Sequence, residues 1–230
     1  MRKGLLLTMA IIITTLSYGQ TTVTGMIGVH SSKTSTNLAL GTDAGALLAS
    51  KPITSLTGGI IVDHSLDNLL SFSTGVLARR KGFKVSAGTG IDLLGIDLGI
   101  GASAVTQVQY VEVPLMLKAH LGNSKTVQPY IGAGPSVSYA TSGSIDTRVN
   151  AILSFNVSST PLELSSPNFN RWQLGGNAVA GVKVPYGTGH WMVEGGYNTS
   201  FTDLISDDFL IDAGGKHSGW TLSVGYGMTF

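Results

Sequence analysis

The chain has 230 residues, with 14 basic and 13 acidic side chains and no cysteine. A disulfide scaffold is therefore excluded, and the near-neutral charge gives no reason to expect a nucleic-acid partner. Charged residues make up 12% of the chain, about half of the ~25% that is typical of soluble domains.

The chain begins with the pattern of a secretory leader. Arg2 and Lys3 precede an apolar run from Gly4 to Leu16, and residues 17–19 (Ser-Tyr-Gly) have the small-x-small form of a cleavage site. The run is too short to span a bilayer as a helix, which needs about 20 residues. We expect residues 1–19 to be a cleaved signal peptide and residues 20–230 to form one domain. Without Arg2 and Lys3, this domain has 12 basic and 13 acidic side chains.

After the leader, the dominant pattern is alternation of apolar residues with small or polar ones, which is typical of β-strands that have two unlike faces. The last stretch is the clearest example, because Trp220, Leu222 and Val224 begin an apolar face that continues to Phe230. The same alternation occurs in eight segments, at 23–29, 56–62, 70–78, 111–121, 129–139, 172–184, 191–201 and 220–230. The sequence therefore predicts eight strands.

The links between these segments alternate in length. Three are short turns, at 64–68, 122–126 and 185–189, and four are long, at 31–54, 80–104, 140–171 and 202–216. Outer-membrane barrels have short periplasmic turns and longer external loops. The pattern predicts an all-β fold, an eight-stranded antiparallel up-and-down transmembrane β-barrel with both termini on the periplasmic side.

The segment 111–121 indicates which face meets lipid. Its odd positions are apolar throughout, whereas its even positions include Glu112, Pro114, Lys118 and His120. Eleven residues match the ~9–11 that a tilted transmembrane strand needs. A soluble sandwich or a lipocalin-like barrel is the alternative, but its exposed face would be rich in Gly, Ser and Thr and poor in charge, which disfavours solubility.

The opposite parity predicts a polar network inside the barrel. The charged residues on this face are Arg79, Glu112, Lys118, Lys183 and Glu194. Because buried charges must be paired, we expect ion pairs that plug the lumen, including one between Lys183 and Glu194 across their hairpin. A selectivity ring around an open channel is the alternative.

Aromatic residues collect near the ends of the apolar faces, where two interfacial girdles are expected. The predicted girdle residues are Tyr139, Trp172, Trp191, Phe201, Trp220 and Phe230. Two prolines, Pro114 and Pro135, fall inside strands, where each removes a ladder hydrogen bond. We expect a bulge or local bend at each.

Two stretches also resemble a known family. The runs YVEVPLMLKAHLG and VQPYIGAGPSVSYA are similar to the Tyr-x-Glu-x-Pro-Leu…Lys and Pro-Tyr-x-Gly-x-Gly-Pro pattern of the PorT-like outer-membrane β-barrel domain of Bacteroidetes-type bacteria. The match is densest over 105–140. The resemblance implies a Gram-negative outer-membrane barrel, and for one branch a role in secretion. The terminal Phe230 resembles the signal that the barrel-assembly machinery reads.

The function predicted is non-enzymatic: a monomeric, porin-like barrel with a plugged lumen whose external loops contact partners or the cell surface. Lipid and lipopolysaccharide are the expected neighbours, and no cofactor, metal or nucleic acid is expected. The first alternative is a narrow solute channel. The second is an outer-membrane acyltransferase or hydrolase built from His30, Ser31 and Asp212, with Ser32 and His217 nearby, although no Gly-x-Ser-x-Gly motif supports it.

Overall fold

The computed structural model describes residues 20–35, 50–89, 92–93, 96–97, 100–122, 126–151, 153–164, 170–202 and 216–230. The predicted signal peptide, residues 1–19, lies outside these ranges, as does Asp212. Within them, no helix has the length and apolar character needed to cross a bilayer.

The regular structure of the described residues is β-strand throughout. The strands are β1 (Thr21–Ser35), β2 (Ser50–Lys51), β3 (Ile53–Ser65), β4 (Leu70–Thr89), β5 (Asp92–Leu93), β6 (Ile96–Asp97), β7 (Ile100–His120), β8 (Gln128–Ala151), β9 (Leu153–Pro161), β10 (Trp172–Tyr186), β11 (Gly189–Ser200) and β12 (Lys216–Thr229). Eight long strands form the wall of a barrel, in the order β1, β3, β4, β7, β8, β10, β11, β12.

The barrel is closed, because the first and last strands pair along their whole length. The β1–β12 ladder runs from Thr22 opposite Thr229 to Ser35 opposite Lys216. The terminal residue is included, since the amide of Phe230 donates to the carbonyl of Thr21 at 2.8 Å. Every neighbouring pair in the wall is antiparallel and follows chain order. The predicted eight-stranded up-and-down barrel is confirmed.

Side-chain exposure confirms which face of each strand points outward. Leu56 is 73% exposed and Ile131 is 59% exposed, whereas Thr57 and Tyr130, one position away, are buried. The outer surface is therefore a band of Leu, Ile, Val and aromatic side chains. A contiguous apolar band of this extent is unsuited to water and is what a lipid-facing barrel presents.

The two ends of the barrel differ. At one end, here called the turn end, the chain reverses at residues 66–69 and 187–188 and between β7 and β8, and Thr21 and Phe230 lie together there. In the first turn, a side-chain oxygen of Asp67 accepts hydrogen bonds from the amides of Leu69 and Leu70, both at 2.7 Å. Gly187 has a positive φ of 62°, a backbone conformation that glycine adopts without a steric penalty.

At the opposite end, the loop end, two predicted loops prove to be largely strand. The ladder of β4 with β7 continues to Thr89 opposite Ile100. The ladder of β7 with β8 continues to Gly101 opposite Asn150, and β9 then adds an edge strand to β8. The long links at 80–104 and 140–171 therefore consist largely of paired strand that extends past the lipid-facing segments. Polar residues on the outward side end the lipid-facing band, but they do not end the backbone pairing.

The two in-strand prolines do not produce bulges. The β4–β7 ladder lacks pairs beside Pro114, but it has the same register on both sides, with Thr74 opposite Leu115 and Leu77 opposite Glu112. The β7–β8 ladder is likewise interrupted beside Pro135 and resumes without a shift. The missing proline N–H removes hydrogen bonds without inserting a residue. The register shift of the β7–β8 ladder lies instead between Gln109 and Tyr110.

Candidate functional site in the barrel lumen

The lumen nearer the loop end contains one carboxylate surrounded by donors, here called the loop-side cluster. Glu112 accepts from Arg79 Nη1 at 2.8 Å and from Asn177 Nδ2 at 2.9 Å. Its second oxygen lies 3.4 Å from Lys81 Nζ and accepts from the hydroxyl of Ser138 at 3.3 Å. All five side chains are buried. The carboxylate is thus fully satisfied by groups from three other strands, β4, β8 and β10, as a buried charge requires.

A second group of charges, the turn-side cluster, lies nearer the turn end. Asp63 accepts from Lys118 Nζ at 3.1 Å with one oxygen and from Lys183 Nζ at 3.0 Å with the other. Lys118 Nζ also lies 3.7 Å from Glu194, which accepts from the hydroxyl of Tyr130 at 2.8 Å. Two lysines are therefore balanced by two carboxylates, and all of them are buried.

Some of these contacts cross the whole lumen. β3 and β10 are four strands apart in either direction around the ring, so the bond between Asp63 and Lys183 joins opposite walls. β7 and β12 are also opposite each other, and the rings of Tyr110 and His217 meet edge to face with centroids 6.1 Å apart. Side chains from facing walls therefore touch at two levels. An eight-stranded barrel is just wide enough for side chains to fill it in this way.

The predicted pairing of Lys183 with Glu194 is wrong. Their hairpin places Lys183 opposite Met192 and Glu194 opposite Gly181. Lys183 instead bonds to Asp63 across the lumen. The pairing is set by which side chains reach the barrel axis at the same height, and adjacency in a hairpin does not determine this when strands are tilted.

The structure brings the five predicted lumen residues into two separate clusters, and it adds two charges that the sequence reasoning did not select. Asp63 follows the outward-facing Val62 and lies within β3, between the predicted segment 56–62 and the predicted turn 64–68. Lys81 is two positions after Arg79 on the same strand and so faces the same side. Parity alone could have identified both residues.

Glycines on the lumen face leave room for the large side chains. A Cβ atom placed on Gly181 would lie 2.5 Å from the hydroxyl of Tyr130, and one on Gly132 would lie 2.7 Å from Cγ of Lys118. The small residues are thus opposite the members of the turn-side cluster. The absence of a side chain at these glycines makes room for the large side chains that fill the lumen.

The aromatic residues predicted as girdles lie at two levels on the outer face. Near the loop end, the rings of Tyr139 and Trp172 pack with their centroids 4.8 Å apart, and those of Tyr197 and Trp220 do the same. Phe201 packs over Gly176 on the same side. Trp191 packs on Tyr226 at 5.2 Å nearer the turn end, where Phe230 is also exposed.

The proposed hydrolase residues do not converge in the described structure. His30 points into the lumen, and its Nδ1 lies 3.0 Å from the hydroxyl of Thr221. Ser31 is the next residue of an alternating strand and therefore faces the other side of the sheet. The hydroxyl of Ser32 accepts from the amide of Gly82 at 3.1 Å. Ser31 and His30 thus form no nucleophile–base pair.

The turn end opens into a cavity of ≈ 990 Å³. Its walls include His120 and His190 as well as Asp63 and Lys183 of the turn-side cluster. The cavity therefore reaches the charged layer from the side of the termini. In the part of the chain that the structure describes, no group of three or more metal-ligating side chains is assembled.

Comparison with known proteins assigns the chain to a family. Residues 19–206 match the outer membrane protein β-barrel domain. No curated protein matches the chain. Solved structures that resemble it include OprG from Pseudomonas aeruginosa, at 12% identity and a TM-score of 0.49, covering 92% of this chain and 96% of that one. The Ail protein of Yersinia pestis has 12% identity, a TM-score of 0.39 and coverage of 91% and 99%.

Neisserial surface protein A is also similar, at 10% identity and a TM-score of 0.40, with coverage of 88% and 95%. Likeness at these identities and TM-scores is limited, so the assignment is based on the sequence match. That match covers most of the chain, including seven of the eight wall strands. The chain therefore belongs to the outer membrane protein β-barrel domain family and resides in the outer membrane.

Proposed function

We propose that this barrel is a non-enzymatic membrane scaffold whose lumen is closed by its own side chains. The observation that supports a closed lumen is the set of contacts between opposite walls, Asp63 with Lys183 and Tyr110 with His217. Because buried ion pairs are held together in a low-dielectric interior, thermal motion should not open a continuous water path through both clusters.

Solute uptake tests this proposal. Liposomes containing the refolded barrel should swell in an isotonic monosaccharide no faster than protein-free liposomes. A refolded porin serves as the positive control. A difference in gel mobility between unboiled and boiled samples verifies that the barrel has folded. Swelling that increases with the amount of folded protein would show that the lumen is open.

The proposed working surface is the loop end. The strands β4, β7 and β8 have 20, 21 and 24 residues, about twice the ~9–11 that cross a bilayer. Together with β9 they form a sheet that continues past the lipid-facing band. A rigid sheet of this length can hold a contact surface away from the membrane, for a partner protein or for lipopolysaccharide.

The resemblance to the PorT-like branch over residues 105–140 supports a connection to protein secretion. Deleting the gene and comparing secreted proteins by mass spectrometry tests that connection. A selective loss of secreted proteins, restored by the wild-type gene, is the expected result. An unchanged set of secreted proteins would leave surface contact as the role.

We also infer the orientation and the route of assembly. Short turns and both termini at one end favour a periplasmic turn end, and the exposed terminal Phe230 supports recognition of β12 by the barrel-assembly machinery. A protease-cleavable tag inserted at Asn68 should resist added protease in intact cells, whereas one at Thr147 should be cut. The reverse result would invert the orientation.

The cavity at the turn end favours one alternative, a narrow solute channel. It brings water from the turn end to within the reach of Asp63 and Lys183. A channel would require a continuation past Glu112 and its four partners, which are held together by contacts of 2.8 to 3.4 Å.

A further inference from the structure

Above Glu112, towards the loop end, several buried side chains have polar atoms without a hydrogen-bond partner in the described structure. Each of the side chains is at least nine-tenths buried. The atoms are Nε2 of His30, Nε of Arg79, the hydroxyl of Tyr110, both amide atoms of Gln173, Nδ2 of Asn198 and Nε2 of His217. Unpartnered buried polar groups are costly, so these atoms need a partner that the described side chains do not supply.

Several of these groups lie close together in the lumen. Tyr110 and His217 come from opposite walls and meet at 6.1 Å, and Lys81 Nζ lies 5.0 Å from the centre of the Tyr110 ring. Gln173 is opposite Ser138 in the β8–β10 ladder, and Ser138 accepts from Lys81 at 3.4 Å. Lys81 therefore lies beside Tyr110 and beside Ser138, the residue opposite Gln173.

Each of the two histidines uses Nδ1 in a hydrogen bond and has no partner for Nε2. His30 Nδ1 is bonded to the hydroxyl of Thr221 at 3.0 Å, and His217 Nδ1 to the hydroxyl of Thr34 at 2.8 Å. When each Nδ1 accepts from its threonine, the proton is on Nε2, and that nitrogen becomes a donor into the lumen. The free groups are then mostly donors.

The loop-side cluster also has a surplus of positive charge, which favours an anion as the acceptor of these donors. Arg79 and Lys81 share Glu112 as the one carboxylate that the described residues bring to them. One positive charge in the loop-side cluster is thus left without a counter-charge, whereas the turn-side cluster is balanced. A buried surplus charge is strongly unfavourable. Water could satisfy the donors, but it cannot neutralise the charge.

We infer that the loop half of the lumen binds one small oxyanion, of phosphate or sulfate chemistry. Lys81 supplies the counter-charge, and the hydroxyl of Tyr110, the amide of Gln173 and Nε2 of the two histidines donate to its oxygens. Leu164 packs on Val108, Tyr110 and Ala140. Because the donors lie in the lumen, on the side of the wall away from lipid, the site suits a free ion better than a lipid headgroup with its acyl chains. The inference does not depend on the proposed scaffold role.

Equilibrium dialysis of the folded barrel against labelled orthophosphate and labelled sulfate tests the inference. The protein is refolded in a maltoside detergent, which carries no phosphate, so that lipid headgroups are absent. We expect one bound ion per folded chain. Adding vesicles of a phosphate-bearing lipid without inorganic phosphate should not displace the ion, whereas displacement would assign the site to a headgroup.

Three variants locate the site. Lys81→Met removes the counter-charge and should weaken binding by at least about tenfold, since charge-assisted hydrogen bonds are the strong ones. Tyr110→Phe retains the packed ring and removes only the hydroxyl, so it should fold normally and bind several-fold more weakly. Arg80→Met removes a cation from the adjacent, exposed position on the other face and should bind as the wild type does.

Two results would overturn the inference. The first is wild-type protein that binds neither ion at millimolar concentration. The second is binding that Tyr110→Phe and Lys81→Met leave unchanged, which would place the ion elsewhere. Should Lys81→Met fail to fold, Tyr110→Phe with the Arg80→Met control decides the question alone.

Discussion

The ammonium group of Lys183 lies 3.0 Å from the carboxylate of Asp63, although 120 residues separate them in the chain. The two strands that carry them stand opposite each other in the wall. Asp63 also accepts from Lys118, so three strands meet at one carboxylate. Within the turn-side cluster, Asp63 is the carboxylate to which both lysines donate.

Removing that carboxylate should be more damaging than removing either lysine. Asp63→Asn leaves Lys118 and Lys183 buried without their shared counter-ion and should cost about 3–5 kcal/mol of unfolding free energy. Lys183→Met leaves Asp63 paired with Lys118 and should cost less, about 1.5–3 kcal/mol. Urea unfolding in lipid vesicles, followed by tryptophan fluorescence, measures both changes.

A double-mutant cycle identifies the partner of Lys183. The combination of Lys183→Met with Asp63→Asn should show a coupling energy well above the ~0.5 kcal/mol expected of independent sites. Lys183→Met with Glu194→Gln should couple more weakly, because Glu194 is linked to that lysine only through Lys118. Stronger coupling to Glu194 would contradict the structure.

The facing of β12 predicts a difference between adjacent residues. Val224 is 48% exposed on the outer face, whereas Ser223 is 2% exposed. Val224→Arg puts a charge into lipid near the middle of the strand and should cost about 2–4 kcal/mol, while Ser223→Arg should crowd the lumen. A lipid-soluble photolabel should mark positions 220, 222, 224 and 226 and spare 221, 223 and 225. Labelling of positions 221, 223 and 225 instead would refute the assignment of Val224 to the lipid-facing side.

The space that glycine leaves for Tyr130 can be tested with one methyl group. Gly181→Ala places a Cβ against the hydroxyl of Tyr130, which bonds to Glu194, and should cost about 1–3 kcal/mol through overpacking. Gly195→Ala is the matched control on the neighbouring strand, because the nearest atom to its Cβ is a carbonyl oxygen 3.9 Å away. Equal losses of unfolding free energy would show that the lumen is loosely packed.

The predicted signal peptide implies a start for the mature chain. Peptide mass spectrometry of purified outer membranes should find a mature N-terminus at Gln20, after cleavage at Gly19. Recovery of the chain with its first residues intact would show that residues 1–19 serve another purpose.

The sequence was sufficient to predict the wall of the barrel but not the contacts inside it. Alternation has a period of two, and each strand repeats it, so Leu222 and Ser223 can be assigned to opposite faces from their order alone. The partner of Lys183 could not be assigned, because Asp63 lies four strands away around the ring, and the tilt and stagger of the three strands between them decide which side chains meet. The length of β8 was also missed, since its loop-end half has no lipid-facing pattern. The unpartnered donors around Tyr110 became apparent only when opposite walls were placed together.

Single-channel recording in planar bilayers tests the closed lumen most directly. The wild-type barrel, verified as folded, should give no steady conductance steps at either polarity, because the Asp63–Lys183 and Tyr110–His217 contacts span the lumen at two levels. Asp63→Asn removes one of these contacts and leaves the layer around Glu112, so it too should remain silent. Steady, reproducible steps from the wild-type protein would contradict the account and make the narrow channel the leading function.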